Sequence, residues 1–182
     1  DALAYCRWLT EQLRAWRDAP ESLAQRLHAG WEITLPSEAE WEKAASWEAE
    51  TKRKRVYPWG STPDTERVNY GDTGIGETSA VGCFPNGHSP DGIEDLSGNV
   101  GEWTRSHWKD YPYDSHDGRE DLDSDALRVV RGGAFNLNGR LVRCAYRDLG
   151  NPNDRNWNLG FRVVLSLSTL DSVSLASDTL GF

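Results

Sequence analysis

Residues 128–164 read RVVRGGAFNLNGRLVRCAYRDLGNPNDRNWNLGFRVV. The stretch opens on a β-rich run that ends in Gly132-Gly133, and it closes on Phe161-Arg162-Val163-Val164-Leu165, an apolar run of buried-strand type. Between these ends the pattern is irregular. Asn136, Asn138, Asn151, Asn153, Asn156 and Asn158 supply turn chemistry and side chains that both donate and accept hydrogen bonds. Arg131, Arg140, Arg143, Arg147, Arg155 and Arg162 exceed what turns require, and planar guanidinium groups bridge carbonyls and carboxylates. The arginines therefore read as a fixed frame, and the residues between them as an exposed face.

Working outward, composition sets the bounds. A chain of 182 residues suits one domain with a sizeable core, and nine tryptophans supply burial that an apolar content of 37% otherwise leaves short. A net charge of -9 argues against general affinity for nucleic-acid phosphate or an anionic membrane. No bilayer-length apolar run and no signal peptide are visible, and with no methionine at position 1 the chain reads as part of a longer polypeptide. Cys6, Cys83 and Cys144 form no CxxC pair; an odd number favours reduced thiols and a cytoplasmic location, with one bridge plus a free thiol left open.

The N-terminal half reads as scaffold. Ala2, Cys6, Leu9, Leu13 and Trp16 recur at helical steps over residues 1–17, and a second helical piece over 23–28 stops at Gly30. Ser37 and Glu40 form a capping box that starts a helix, with Trp41, Ala44 and Ala45 as its buried stripe. Lys52-Arg53-Lys54-Arg55 reads as a solvated loop in preference to a nucleic-acid patch. From 61 to 90 only Ala80 to Phe84 resembles a strand, and residues 110–125 form an acidic, solvated loop that includes His116. After Leu165 the expectation is a tail over 166–182, either poorly ordered or a strand dependent on a partner.

A half so poor in regular structure needs another brace, and calcium, which takes carboxylates, Asn side chains and carbonyls from loops, is a candidate. VNYGDTG holds Asn69 and Asp72, and DLSGNVGE holds Asp95 and Glu102 around a tight turn. By spacing alone, Asp95 as a turn cap and Glu102 as an ordinary acid remain the simpler reading.

LPSEAEWEKAA, YPWG, VGCFPNG, DLSGNVGEWT, RVVRGGAF and NLGFRVV, in this order, resemble the formylglycine-generating enzyme (sulfatase-modifying factor) family over residues 1–165. The resemblance implies an α+β, C-type-lectin-like fold: a small twisted antiparallel sheet, flanking helices and much irregular loop, with the family's N-terminal strands missing. It also implies calcium, held in one site by the Asp95 and Glu102 side chains with the Gly98 and Val100 carbonyls. Asn69 and the Tyr70 carbonyl match the other site, to which Asp72 is added here. The family's oxidase chemistry resembles a copper reaction of two cysteines just beyond the Gly-Gly motif. In this chain the first position falls on Leu137 and the second in Asn138 to Leu141, which holds no cysteine, so no copper and no oxidase site are expected. His28, His88, His107 and His116 are scattered and suggest no iron triad.

The stretch 128–164 is most similar to the variable region of proteins diversified by bacterial diversity-generating retroelements. Against a frame of Arg-Gly-Gly, Arg140, Arg143, Ala145, Arg147, Pro152, Arg155 and Gly-Phe-Arg, the mixed residues are Phe135, Leu137, Leu141, Asp148, Leu149, Gly150, Asp154, Asn156 and Trp157, with Asn138 beside them. The expected function is a non-catalytic module of a larger bacterial polypeptide that recognises a protein or other macromolecular ligand through this surface. The alternatives are a formylglycine-generating-type oxidase or other metalloenzyme relative, and a purely structural domain. Trp157 reads either as the exposed anchor of that surface or as one more core tryptophan.

Overall fold

A computed structural model describes residues 1–167, and the rest of the expected tail lies outside the described residues. The chain divides into two compact units, one of Asp1–Leu35 with the segment from Val163, the other of Pro36–Arg162.

In the first unit, α1 (Ala2–Ala15) and α2 (Glu21–His28) accompany a two-stranded sheet of β1 (Trp31–Thr34) and the last strand, β8 (Val164–Leu167). The strands pair antiparallel from Trp31↔Leu167 to Thr34↔Val164. Thr10, buried on α1, accepts a hydrogen bond from the Ile33 N–H at 2.9 Å, which fixes the helix against β1. The helices match their sequence pattern, whereas the final strand starts later than its apolar run. Phe161 and Val163 are exposed, because Arg162 between them turns to a carboxylate of the second unit's own sheet.

The second unit begins at the capping box: the Ser37 hydroxyl accepts from Glu40 N–H at 3.1 Å, and the Glu40 carboxylate accepts from Ser37 N–H at 2.7 Å. It starts α3 (Glu38–Ser46), which leads into a small hairpin of β2 (Trp47–Glu48) and β3 (Arg53–Lys54). Residues 80–84 form turns instead of the expected strand; Gly82 at φ 79° breaks the extended path and Val81 stands exposed. The main sheet comprises β4 (Gly101–His107), β5 (Arg128–Arg131), β6 (Arg147–Gly150) and β7 (Leu159–Gly160), in the order β6-β5-β4-β7. β5 runs antiparallel to both neighbours, and β7 runs parallel to β4.

Two buried clusters fill this unit. One packs Trp41 and Ala45 of α3 against Leu96 and Cys144; the other joins Tyr57, Val68, Tyr70 and Val142. The turn in DLSGNV lies between them. Gly98, at φ 68°, has no room for a side chain, since a Cβ would sit 2.2 Å from the Asn69 carbonyl oxygen. Its N–H donates to Gly132, and Phe135 N–H donates to the Asn99 carbonyl, so this turn holds the Gly-Gly corner at the head of the irregular stretch.

Candidate functional site

The strand order decides how residues 132–161 are displayed. β6 and β7 lie at opposite edges of the main sheet with β5 and β4 between them, three strand spacings or about 14 Å. The segment from Asn151 to Asn158 must therefore travel from one edge to the other without a helix. Short local bonds stiffen it: the Asp154 carboxylate accepts from Asn151 N–H at 3.1 Å, and the Asn151 side chain accepts from Asn153 N–H at 3.0 Å. At its far end the Asn158 carbonyl accepts from Gly101 N–H at 2.8 Å. These are the turn bonds that Asn and Asp make best.

Trp157 stands on this crossing segment, 68% exposed, with its ring edge-on to Phe135 at a centroid distance of 4.7 Å. Phe135 itself is 1% exposed. The Asn158 amide reaches Asn136 at 3.3 Å, so one patch gathers Asn136, Asn156 and Trp157 above a buried phenyl ring. Trp157 is thus exposed and not one more core tryptophan. A second patch lies on the edge strand β6, where Asp148 and Leu149 are exposed and Asp148 accepts from the Tyr146 hydroxyl at 3.3 Å. Asn138 and Asp154 are exposed as well, while Leu137 and Leu141 are half-buried.

Two expected surface residues are corrected by packing. Phe135 lies in the interior and supports Trp157 from below. Gly150 is buried against Trp103, where a Cβ would meet the indole at 2.3 Å, so any other residue there would have to displace that ring. The frame is corrected too. Arg140 and Arg143 are exposed, and Arg143 donates to the Arg140 carbonyl at 2.8 Å. The brace rests on three other arginines. Arg131, fully buried, contacts Glu42 at 2.6 Å and Glu38 at 3.4 Å; Arg147 grips Glu38 through Nε at 2.5 Å and a terminal nitrogen at 2.8 Å; Arg162 grips Glu102 at 2.5 and 2.6 Å. Sequence reading missed Glu38 and Glu42, whose spacing on one face of α3 was the available signal.

No thiol stands where the redox pair of the resembled enzymes would be. Leu137 packs onto the Tyr57 cluster, and the nearest cysteine in sequence, Cys144, is buried, donates weakly to the Ala45 carbonyl, and has its thiol pushed up to about 12 by burial. A thiol held protonated is neither ligand nor nucleophile.

The two expected calcium sets differ in their fit. The Glu102 carboxylate is taken up by Arg162 and by the Trp41 indole N–H at 2.6 Å, and the Asp95 carboxylate caps Gly82 N–H at 2.8 Å. Arg162 also donates to the Glu94 and Asp95 carbonyls at 3.1 Å, so a guanidinium charge stands at this turn, against the Glu102 carboxylate that a cation would need. That set does not fit a cation. Asn69 does: it is buried, its amide nitrogen donates to the Glu77 carbonyl and Ser79, and its Oδ1 has no partner among the described residues. Asp72 is exposed and bonds the Tyr70 phenol, and the Tyr70 carbonyl accepts from Thr73 N–H. Among the described residues no three His, Cys, Asp or Glu side chains gather as a metal cluster.

Comparison with known proteins places this geometry. Residues 1–167 match the sulfatase-modifying factor enzyme 1-like domain. Hercynine oxygenase of Mycolicibacterium thermoresistibile is 34% identical over 146 residues, 75% of this chain and 32% of that protein. The formylglycine-generating enzyme of Mus musculus is 28% identical over 184 residues, 89% of this chain and 41% of its own. The chain thus spans well under half the length of either relative. Among solved structures, Treponema denticola variable protein 1 superposes with a TM-score of 0.57 at 26% identity, over 72% of this chain and 47% of that one.

Proposed function

Because the chain belongs to the sulfatase-modifying factor enzyme 1-like family, with the C-type-lectin-like fold of its solved relatives, we propose that it uses that fold for recognition and not for redox chemistry. It is a non-catalytic ligand-binding module of a longer bacterial polypeptide, whose exposed residues between 137 and 157 are diversified by a retroelement to bind a protein. The observation that carries this reading is Trp157, held out on a buried phenyl ring by an ordered Asn-rich crossing. A rigid aromatic amid adaptable amides is what a mutable binding surface needs. Similarity to a variable protein supports it. Three free cysteines agree with a cytoplasmic setting, and calcium belongs to the proposal at Asn69 alone, where the unpartnered oxygen would be one ligand.

Sequencing the segment encoding residues 128–164 across many isolates tests it. Substitutions should concentrate at 137, 138, 141, 148, 149, 154, 156 and 157, and spare 131, 135, 147, 150 and 162. Invariance throughout, or change spread evenly over both groups, would reject diversification. The second reading, a metalloenzyme relative, is favoured by the 34% identity to hercynine oxygenase. Copper binding with oxygen consumption by the purified chain would establish it in place of the first.

A further inference from the structure

The second unit carries a half-open cavity of about 230 Å³ that the displayed surface does not use. Its walls are the rings of Trp47, Tyr111 and Tyr113, and α3 supplies Glu38, Ala39, Glu42 and Lys43 along one side, with Lys54 from β3 opposite. The lining is mostly apolar and aromatic, so a ligand's ring is well received; for scale, a cavity of about 150 Å³ accommodates benzene.

Charge decides what the ring should carry. Glu38 and Glu42 are the acids that face the cavity, and both are paired: Glu38 with Arg147 and Arg131, Glu42 with Arg131 and with Lys54 at 2.6 Å. Three cations thus meet two carboxylates before Lys43 is counted, and Lys43 has no carboxylate within ion-pair distance among the described residues. The Tyr111 hydroxyl lies 3.3 Å from Glu42 and the Tyr113 hydroxyl donates to Glu120 at 2.6 Å, so neither phenol offers a free proton to an incoming group. Burial raises both phenols, Tyr113 to about 12, and they stay neutral at physiological pH. The positive surplus at the lining therefore resides at the ammonium group of Lys43, since Lys54 is taken up by Glu42. A cationic ligand would meet that surplus, whereas an anion would be drawn to it.

We infer that this cavity is a second binding site, for a planar aromatic ring bearing a carboxylate, with the ring between Trp47 and the two tyrosines and the carboxylate at Lys43. The ligand is either a free aromatic acid or an aromatic side chain flanked by acidic residues in a partner protein. Its lining includes none of the displayed residues. Titration followed by amide NMR shifts tests it with phenylacetate, phenylacetamide and phenethylamine as probes, and with a short peptide in which one Phe is flanked by glutamates. Phenylacetate should move resonances of residues 38–54 and 111–113 and saturate with a Kd on the order of 1 mM, the range open to so small a ligand. The amide and the amine should bind at least about tenfold more weakly. Lys43→Glu, a surface change, should weaken phenylacetate about tenfold, and Trp47→Ala should abolish its binding. Tighter binding of the peptide than of phenylacetate would assign the site to a protein partner, the reverse to a metabolite. Equal or tighter binding of phenethylamine, unchanged affinity in Lys43→Glu, or no saturable shift with phenylacetate would overturn the inference.

Discussion

If Trp157 is displayed and Phe135 supports it, truncating each ring should cost very different amounts. At 68% exposure Trp157 hides about a third of its surface, roughly 80 Å², which at about 25 cal/mol per Å² gives an upper limit of about 2 kcal/mol. Phe135, at 1% exposure, hides about 200 Å², or about 5 kcal/mol by the same measure, in line with the 3–5 kcal/mol usual for such a truncation. Trp157→Ala should thus fold with a loss near 1–2 kcal/mol, and Phe135→Ala should lose about 2–3 kcal/mol more. Urea denaturation of the two variants and the parent, read by far-ultraviolet circular dichroism with equal m-values, measures the gap. Equal losses, or a Trp157→Ala chain that does not fold, would show that the tryptophan is core, and the displayed-anchor argument would fail with it.

Gly150→Ala should destabilise by at least about 2 kcal/mol in the same assay, since the added methyl overlaps the Trp103 ring, whereas Asp148→Ala on the same strand should stay within about 1 kcal/mol. Because burial raises the Cys144 thiol from 9.0 to about 12, its contribution is complete below pH 9 and is lost as pH rises toward 12. Cys144→Ala should therefore flatten the decline in stability between about pH 9 and about pH 12, which denaturation at several pH values will show. Calcium should raise the melting temperature of the parent and leave Asn69→Ala unaffected, as differential scanning fluorimetry would show. Arg162→Met removes the guanidinium from Glu102 and should cost about 3–5 kcal/mol in the urea assay, because a buried carboxylate is left without its partner.

Much of the scaffold was legible because it obeys local rules. The Ser37–Glu40 box, the helical stripe through Cys6 and Leu13, and the strand at 128–131 all follow from periodicity and capping chemistry. The strand expected at 80–84 did not form, because one glycine with positive φ outweighs a short apolar pattern. The surface was legible in outline only. Sequence shows which residues lie between arginines but not which side of the sheet each takes, and Phe135 and Gly150 fall inward for that reason. The partner of Glu102 was not legible either, because Arg162 lies some sixty residues away in the chain. Nothing local announces that a guanidinium will reach a given carboxylate first.

The same three arginines explain how this fold holds a long irregular stretch steady. Arg131 fixes its entry, Arg147 its middle and Arg162 its exit, each through a carboxylate on an element outside the stretch: Glu38 and Glu42 on α3, and Glu102 on β4. Buried pairs of this kind add little net stability against an apolar replacement, because desolvation offsets their attraction. Their geometry is specific, however, and breaking one leaves a buried charge unpaired. That asymmetry suits a displayed surface: the segments 132–146 and 148–161 can exchange exposed side chains at small energetic cost, while any rearrangement that moves an anchor point is opposed by several kcal/mol. An apolar core alone would tolerate repacking and let the exposed residues drift with it. The ionic brace ties the position of Trp157 to the sheet and not to the identity of its neighbours.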